Sequence, residues 1–164
     1  MGLTIIKAPD PLPVYRVKGI VPKSVFLAGS IEQGVAEDWQ AKVTKHMQDD
    51  YGKFKEPYYI FNPRRDSWDA SWVQSIDNPQ FNEQVSWELT ALDCARKILM
   101  YFDKNTKSPI SLLELGLYAN SKRMIVCCPH GFWRKGNVEV VCRRYEIPLY
   151  DDLSGAMFHI TDKL

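Results

Sequence analysis

KILMYFDKNTKSPISLLELGLYANSKRMIVCC, residues 97–128, decides the fold. KILMYF (97–102) and RMIVCC (123–128) are short apolar runs of strand length. Between them, residues 108–120 read as a helix: Ser108 suits the N-cap, Pro109 suits the first helical position, and apolar residues recur around nearly the whole circumference. Working outward, the alternation continues. PYYIFN (57–62) predicts a strand, the polar, tryptophan-rich stretch 63–78 a long loop, and residues 79–95 a helix. SVFLAG (24–29) predicts a buried strand ending in a tight glycine turn, and residues 36–50 an amphipathic helix. A helix near 137–145 and a short strand at 147–150 close the pattern.

Strands alternating with helices specify an α/β sandwich, a parallel sheet covered on both faces, and ligands in such sheets bind beyond the carboxyl ends of the strands. The segments after Gly29, Asn62, Phe102 and Cys128 are therefore expected to face the site. Residues 1–23 carry four prolines, Pro9, Pro11, Pro13 and Pro22, which predicts an extended N-terminal arm ahead of a single domain over 24–164.

Composition narrows the partners. The 164 residues fall within the size of one compact domain, enough to bury roughly two thirds of the surface exposed by the unfolded chain. Twenty-one Lys and Arg against twenty Asp and Glu give a formal charge of +1, so no global field draws the protein to a nucleic-acid polymer or an anionic membrane. Cys94, Cys127, Cys128 and Cys142 have no paired metal-ligand spacing and read as reduced core residues. A site built from Cys127, Cys128, His130 and Cys142 conflicts with the opposite directions of neighbouring strand residues, so no metal is expected. With no eighteen-residue apolar run and no basic-then-apolar leader, a cytoplasmic location is expected.

Two carboxylates fall where apolar residues belong. Glu114 lies in a helix with hardly any polar face, and in the preceding helix Phe81, Val85, Leu92 and Ala95 form a stripe whose remaining position is Glu88. A core-facing carboxylate needs a partner or a task. One reading makes each half of a structural ion pair, Glu114 with a neighbouring arginine and Glu88 with Arg96 or Lys122. The other makes them the acid pair of glycosidic chemistry, one as nucleophile and one handling protons. Around them, the turn AGSIEQG (28–34) places Gly29 and Ser30 where backbone N–H groups meet a phosphate or sugar hydroxyl. NPRR (62–65) brings Arg64 and Arg65 to the expected crevice, to grip phosphate or a base edge or to remain a solvated pair. Trp68, Trp72 and Trp87 offer a stacking face for a base, or a lid packed on its own protein.

FLAGSIE (26–32), WEL (87–89), SPISLLELGLYA (108–119) and RMIVCCPHGFWRKGNVE (123–139) together resemble the nucleoside 2-deoxyribosyltransferase superfamily, which also contains the 2'-deoxynucleoside 5'-phosphate N-hydrolases. The resemblance implies a flavodoxin-like, Rossmann-like three-layer sandwich with a five-stranded, mostly parallel sheet. It implies double displacement in which Glu114 attacks C1' of a deoxyribose, with Glu88 as the second carboxylate and no cofactor. It also places Asn137 where a residue reaches the sugar or phosphate of a neighbouring subunit, implying a homodimer or larger assembly.

The sequence departs from that pattern at three positions. Phe26 stands where the superfamily has a tyrosine that touches the nucleophile. Ser108 stands where transferases carry a base-binding aspartate and the hydrolases a phosphate-contacting serine. Glu32 replaces an arginine of the hydrolases. Three readings follow: a transferase moving deoxyribose between bases, an N-hydrolase of deoxynucleoside monophosphates, and a non-catalytic nucleotide-binding module. The partner is a small nucleoside or nucleotide in each.

Overall fold

A computed structural model of the chain describes residues 2–13, 21–32, 35–50 and 57–162. Residues 14–20 of the expected arm and 33–34 of the first turn lie outside them. The elements run β1 (Leu3–Lys7), β2 (Val21–Gly29), α1 (Trp39–Asp49), β3 (Tyr58–Asn62), α2 (Pro79–Cys94), β4 (Ala95–Tyr101), α3 (Pro109–Tyr118), β5 (Met124–Cys127), α4 (Lys135–Tyr145), β6 (Leu149–Tyr150) and α5 (Leu153–Asp162).

The sheet has the order β1-β3-β2-β4-β5-β6, and every neighbouring pair is parallel. Without β1 this is the flavodoxin-like order. The expectation of five strands is corrected to six, because Leu3–Lys7 adds an edge strand in register with β3 from Leu3 against Tyr58 to Lys7 against Asn62. LTIIK is free of proline, and the prolines that suggested an arm begin only at Pro9. With an amide N–H at each position, the segment can complete a ladder.

Alternate strand residues serve two separate cores, as a sheet covered on both faces requires. Phe26, Ala28, Ile98, Met100 and Val126 pack against Trp87, Ala91 and Leu92 of α2, Leu115 of α3 and Val138 of α4. Val25, Leu27, Ile60, Leu99 and Ile125 pack against Trp39, Val43 and Met47 of α1 and Ala156 and Ile160 of α5. Helix α5 was not legible in LSGAMFHITD, where a glycine and a threonine dilute a ten-residue pattern. Among the described residues no helix is long and apolar enough to cross a membrane.

The order places a topological switch point between β2 and β4. From β2 the chain leaves through α1 toward β3 on one side, and from β4 through α3 toward β5 on the other. The two departing loops open a crevice at the carboxyl edge, where ligands of such sheets bind.

Candidate active site

Gly29 makes the crevice possible. It pairs with Tyr101 at φ +130°, and an added Cβ would lie 2.1 Å from the Tyr101 carbonyl oxygen. This close approach lets the next amide, Ser30 N–H, donate to that same carbonyl at 2.9 Å and carries the Ser30 hydroxyl into the gap between the strands.

Three buried hydroxyls meet there. Ser30 Oγ lies 2.5 Å from Ser108 Oγ and 3.0 Å from Thr106 Oγ1, Thr106 Oγ1 lies 2.7 Å from Ser108 Oγ, and Asp103 N–H donates to Ser30 Oγ at 2.9 Å. Ser108 therefore differs from its expected role. It occupies the N-cap position of α3 with φ +48°, yet its side chain makes no capping bond because the hydroxyl is engaged across the crevice. Glu32 also has a task unseen in the sequence. Its Oε1 accepts the amides of Lys107 and Ser108 at 3.0 and 2.6 Å, clasping the loop that leads into α3.

The two carboxylates stand on α2 and α3, helices joined by the Tyr118 hydroxyl donating to Asp93, and the charge of Glu88 bears on Glu114. Glu114 is 8% exposed, on the face of α3 that also buries Ser111 and Leu115. Glu88 is half-buried on α2, and its Oε1 accepts from Gln84 Nε2 at 2.8 Å. Burial first, then the charge of Glu88, push the Glu114 carboxyl up to about 8. Burial likewise raises Glu88, and the Gln84 bond opposes the rise. Among the described residues, no lysine or arginine pairs with either. Lys122 binds Glu146, and Arg123 donates to the carbonyls of Leu92, Asp93 and Ala95. The ion pairs expected of both acids are not formed among the described residues. Burial and the charge of Glu88 thus favour the neutral form of Glu114, and no cation among the described residues opposes them.

Other expected residues scatter. Phe26, 1% exposed, packs against Trp87 with ring centroids 6.4 Å apart, so β2 offers the acids no hydroxyl at this position. Trp87 is itself core, its Nε1 donating to Asp10 O at 2.8 Å, which corrects its reading as a stacking face. Arg64 is engaged by Gln40 Oε1 at 3.2 Å and Asp38 at 3.4 Å, and Arg65 by Glu83 at 2.8 Å with Trp72 beneath its guanidinium. Neither is a free phosphate clamp. Trp68 packs edge-on against Trp72 and on Phe81, so the tryptophan loop folds on itself. Asn137 lines a cavity of about 320 Å³ between α3 and α4 with Leu112, Leu115, Gly116, Arg134, Val138 and Val141, a lining that includes neither acid. The residues not anticipated are Gln84, Asp103 and Thr106. Gln84 was findable, since it sits one helical turn before Glu88. The other two emerge only from a loop without periodicity.

The family described as nucleoside 2-deoxyribosyltransferase like matches residues 22–132, a span that contains the hydroxyl network, Glu88 and Glu114 and ends before Asn137. A comparison with curated proteins found no match. The match covers most of the chain and coincides with the crevice and its acid pair, and the protein belongs to the nucleoside 2-deoxyribosyltransferase-like family.

Proposed function

We propose that the protein cleaves the N-glycosidic bond of a 2'-deoxynucleoside and passes the sugar to another base, with Glu114 as nucleophile and Glu88 as its proton-handling partner. The observation that carries this reading is a buried carboxylate, Glu114, on which the half-buried Glu88 bears, with no cation paired to either among the described residues. In the first step a Glu114 oxygen forms a bond to C1' while the C1'–N bond breaks. The electron pair leaves with the base, which takes a proton from Glu88. In the second step a nitrogen of the incoming base attacks C1', the ester bond to Glu114 breaks, and the proton lost by that nitrogen returns to Glu88. Ser30, Thr106 and Ser108 supply donors and acceptors for the sugar hydroxyls or the base.

The test is incubation with a deoxynucleoside, with and without an acceptor base. Exchange of bases supports the transferase; release of free base at a rate indifferent to the acceptor supports a hydrolase; neither product sinks both and leaves a binding module. Ser108 favours a monophosphate hydrolase as the second reading, but the engagement of Arg64 and Arg65 weakens it. Arg65→Ala is accordingly expected to change the ratio of specificity constants for nucleoside and 5'-monophosphate by less than about threefold, since a charged hydrogen bond to phosphate contributes about 1.5–3 kcal/mol and its loss exceeds tenfold. A collapse of that ratio in steady-state kinetics restores the phosphate role.

Assembly belongs to the same proposal. Helix α3 turns Ile110, Leu113 and Leu117 outward at 61, 59 and 59% exposure, one stripe at i, i+3 and i+7 beside the cavity that Asn137 lines. A second copy covering this face would bring Asn137 toward its partner's site. Leu113→Asp with Leu117→Asp is expected to halve the mass seen by light scattering and to lower activity. A wild-type protein that is monomeric and active contradicts this.

A further inference from the structure

Gln84 is 4% exposed, and its amide is held from two directions: Nε2 donates to Pro63 O at 2.8 Å and to Glu88 Oε1 at 2.8 Å. Pro63 directly follows β3, so the bond ties α2 to the carboxyl edge of the sheet. A primary amide has two donors on nitrogen and only acceptor capacity on oxygen. Turning Gln84 over would set its oxygen against the Pro63 carbonyl, acceptor against acceptor, and forfeit that bond. The orientation persists although Gln84 Oε1 is buried and finds no partner among the described residues, an arrangement that costs free energy. The Pro63 carbonyl thus fixes the amide so that Glu88 receives an N–H. A donated N–H stabilises a carboxylate over a carboxylic acid. Glu114 receives no such donor from the described residues, and the sheet beneath the two helices is apolar, with Phe26, Ala28, Ile98 and Met100. Among the described residues, the titratable groups bearing on the pair are the two acids themselves and Tyr118, whose hydroxyl donates to Asp93 of α2.

We propose that Gln84 is a positioning residue: locked by the Pro63 carbonyl, it keeps Glu88 the ionised member of the pair and leaves the shared proton on Glu114 until a ligand redistributes it. The inference deepens the reading of Glu88 and Glu114 as a working pair. In the free protein the nucleophile is masked as a neutral acid. Attack then requires the proton to pass to Glu88 or to the leaving base, so a nucleophile is unveiled only with substrate in place.

The test needs no substrate. Carboxyl carbons of the full-length protein labelled at glutamate are titrated by NMR, with Glu114→Gln and Glu88→Gln assigning the two resonances. In the unsubstituted protein Glu114 is expected to titrate above Glu88. In Gln84→Met, which keeps length and packing without the donor, the Glu88 midpoint is expected to rise and the Glu114 midpoint to fall, each by roughly one pH unit. A role in packing alone would move both together or neither, and either result overturns the proposal. If Gln84→Met fails to fold, Gln84→Asn withdraws the same amide by one methylene and is read in the same way. The outcome is separable from that of the proposed reaction, since Glu114→Gln can abolish turnover whatever the midpoints do, and the midpoints can invert in a protein that turns over nothing.

Discussion

Glu114→Gln is expected to lose turnover by on the order of 10⁴-fold or more, because an amide cannot form the covalent sugar ester and the remaining groups do not provide a second route. The same variant is expected to fold, and its stability relative to wild type should depend on pH in a definite direction. An ordinary glutamate ionises near 4.5, whereas burial and the neighbouring Glu88 raise folded Glu114 to about 8. A group raised on folding contributes stability that is fully present below the unfolded value and is lost as pH rises through the folded one. Glutamine does not titrate and carries no such loss. The melting temperature of Glu114→Gln minus that of wild type should therefore grow between pH 5 and pH 8.5, by an amount corresponding to on the order of a few kcal/mol. Wild-type rates in the variant would sink the nucleophile. A melting difference that is flat with pH would show that Glu114 ionises normally in the folded protein.

The largest loss of stability is expected for Gly29→Ala. The added Cβ would stand 2.1 Å from Tyr101 O and 2.7 Å from Tyr101 N, both backbone atoms of the adjacent central strand, and the residue would retain a φ of +130° that L side chains rarely adopt. Relief requires β2 and β4 to separate at the switch point, which also breaks the Ser30 amide bond to Tyr101 O and displaces the three hydroxyls. Strain and disrupted packing together are expected to cost at least about 3 kcal/mol, lowering the melting temperature by roughly 6–12 °C for a domain of this size. Gly136→Ala, where an added Cβ meets nothing within 4 Å, is the control and should melt within about 2 °C of wild type. Calorimetry of the two variants decides the point: equal melting temperatures would mean that the strands part at little cost.

Local pattern determined the layered fold. The runs at 24–29, 57–62, 97–102 and 123–128 are apolar in the short, continuous way of strands buried on both faces, and the helices between them announce the crossovers, so a parallel α/β sheet was legible without coordinates. Glu88 and Glu114 were legible for the same reason, since a carboxylate in an apolar stripe violates a periodicity that the neighbouring residues establish. What a one-dimensional pattern does not contain is pairing. The edge strand Leu3–Lys7 exists because β3 offers it a ladder. Arg64 and Arg65 look free in NPRR and are engaged because Gln40 and Asp38 of α1 and Glu83 of α2 reach them. Trp87 is core because Phe26 and the Asp10 carbonyl meet it. Ser108 looks like a cap and instead faces Ser30, seventy-eight positions away. Sequence fixes which groups a residue can offer, through its donors, acceptors and hydrophobic surface. Only the tertiary structure decides which offer is taken, because partners distant in the chain compete for the same atoms, and burial sets what an unmet one costs.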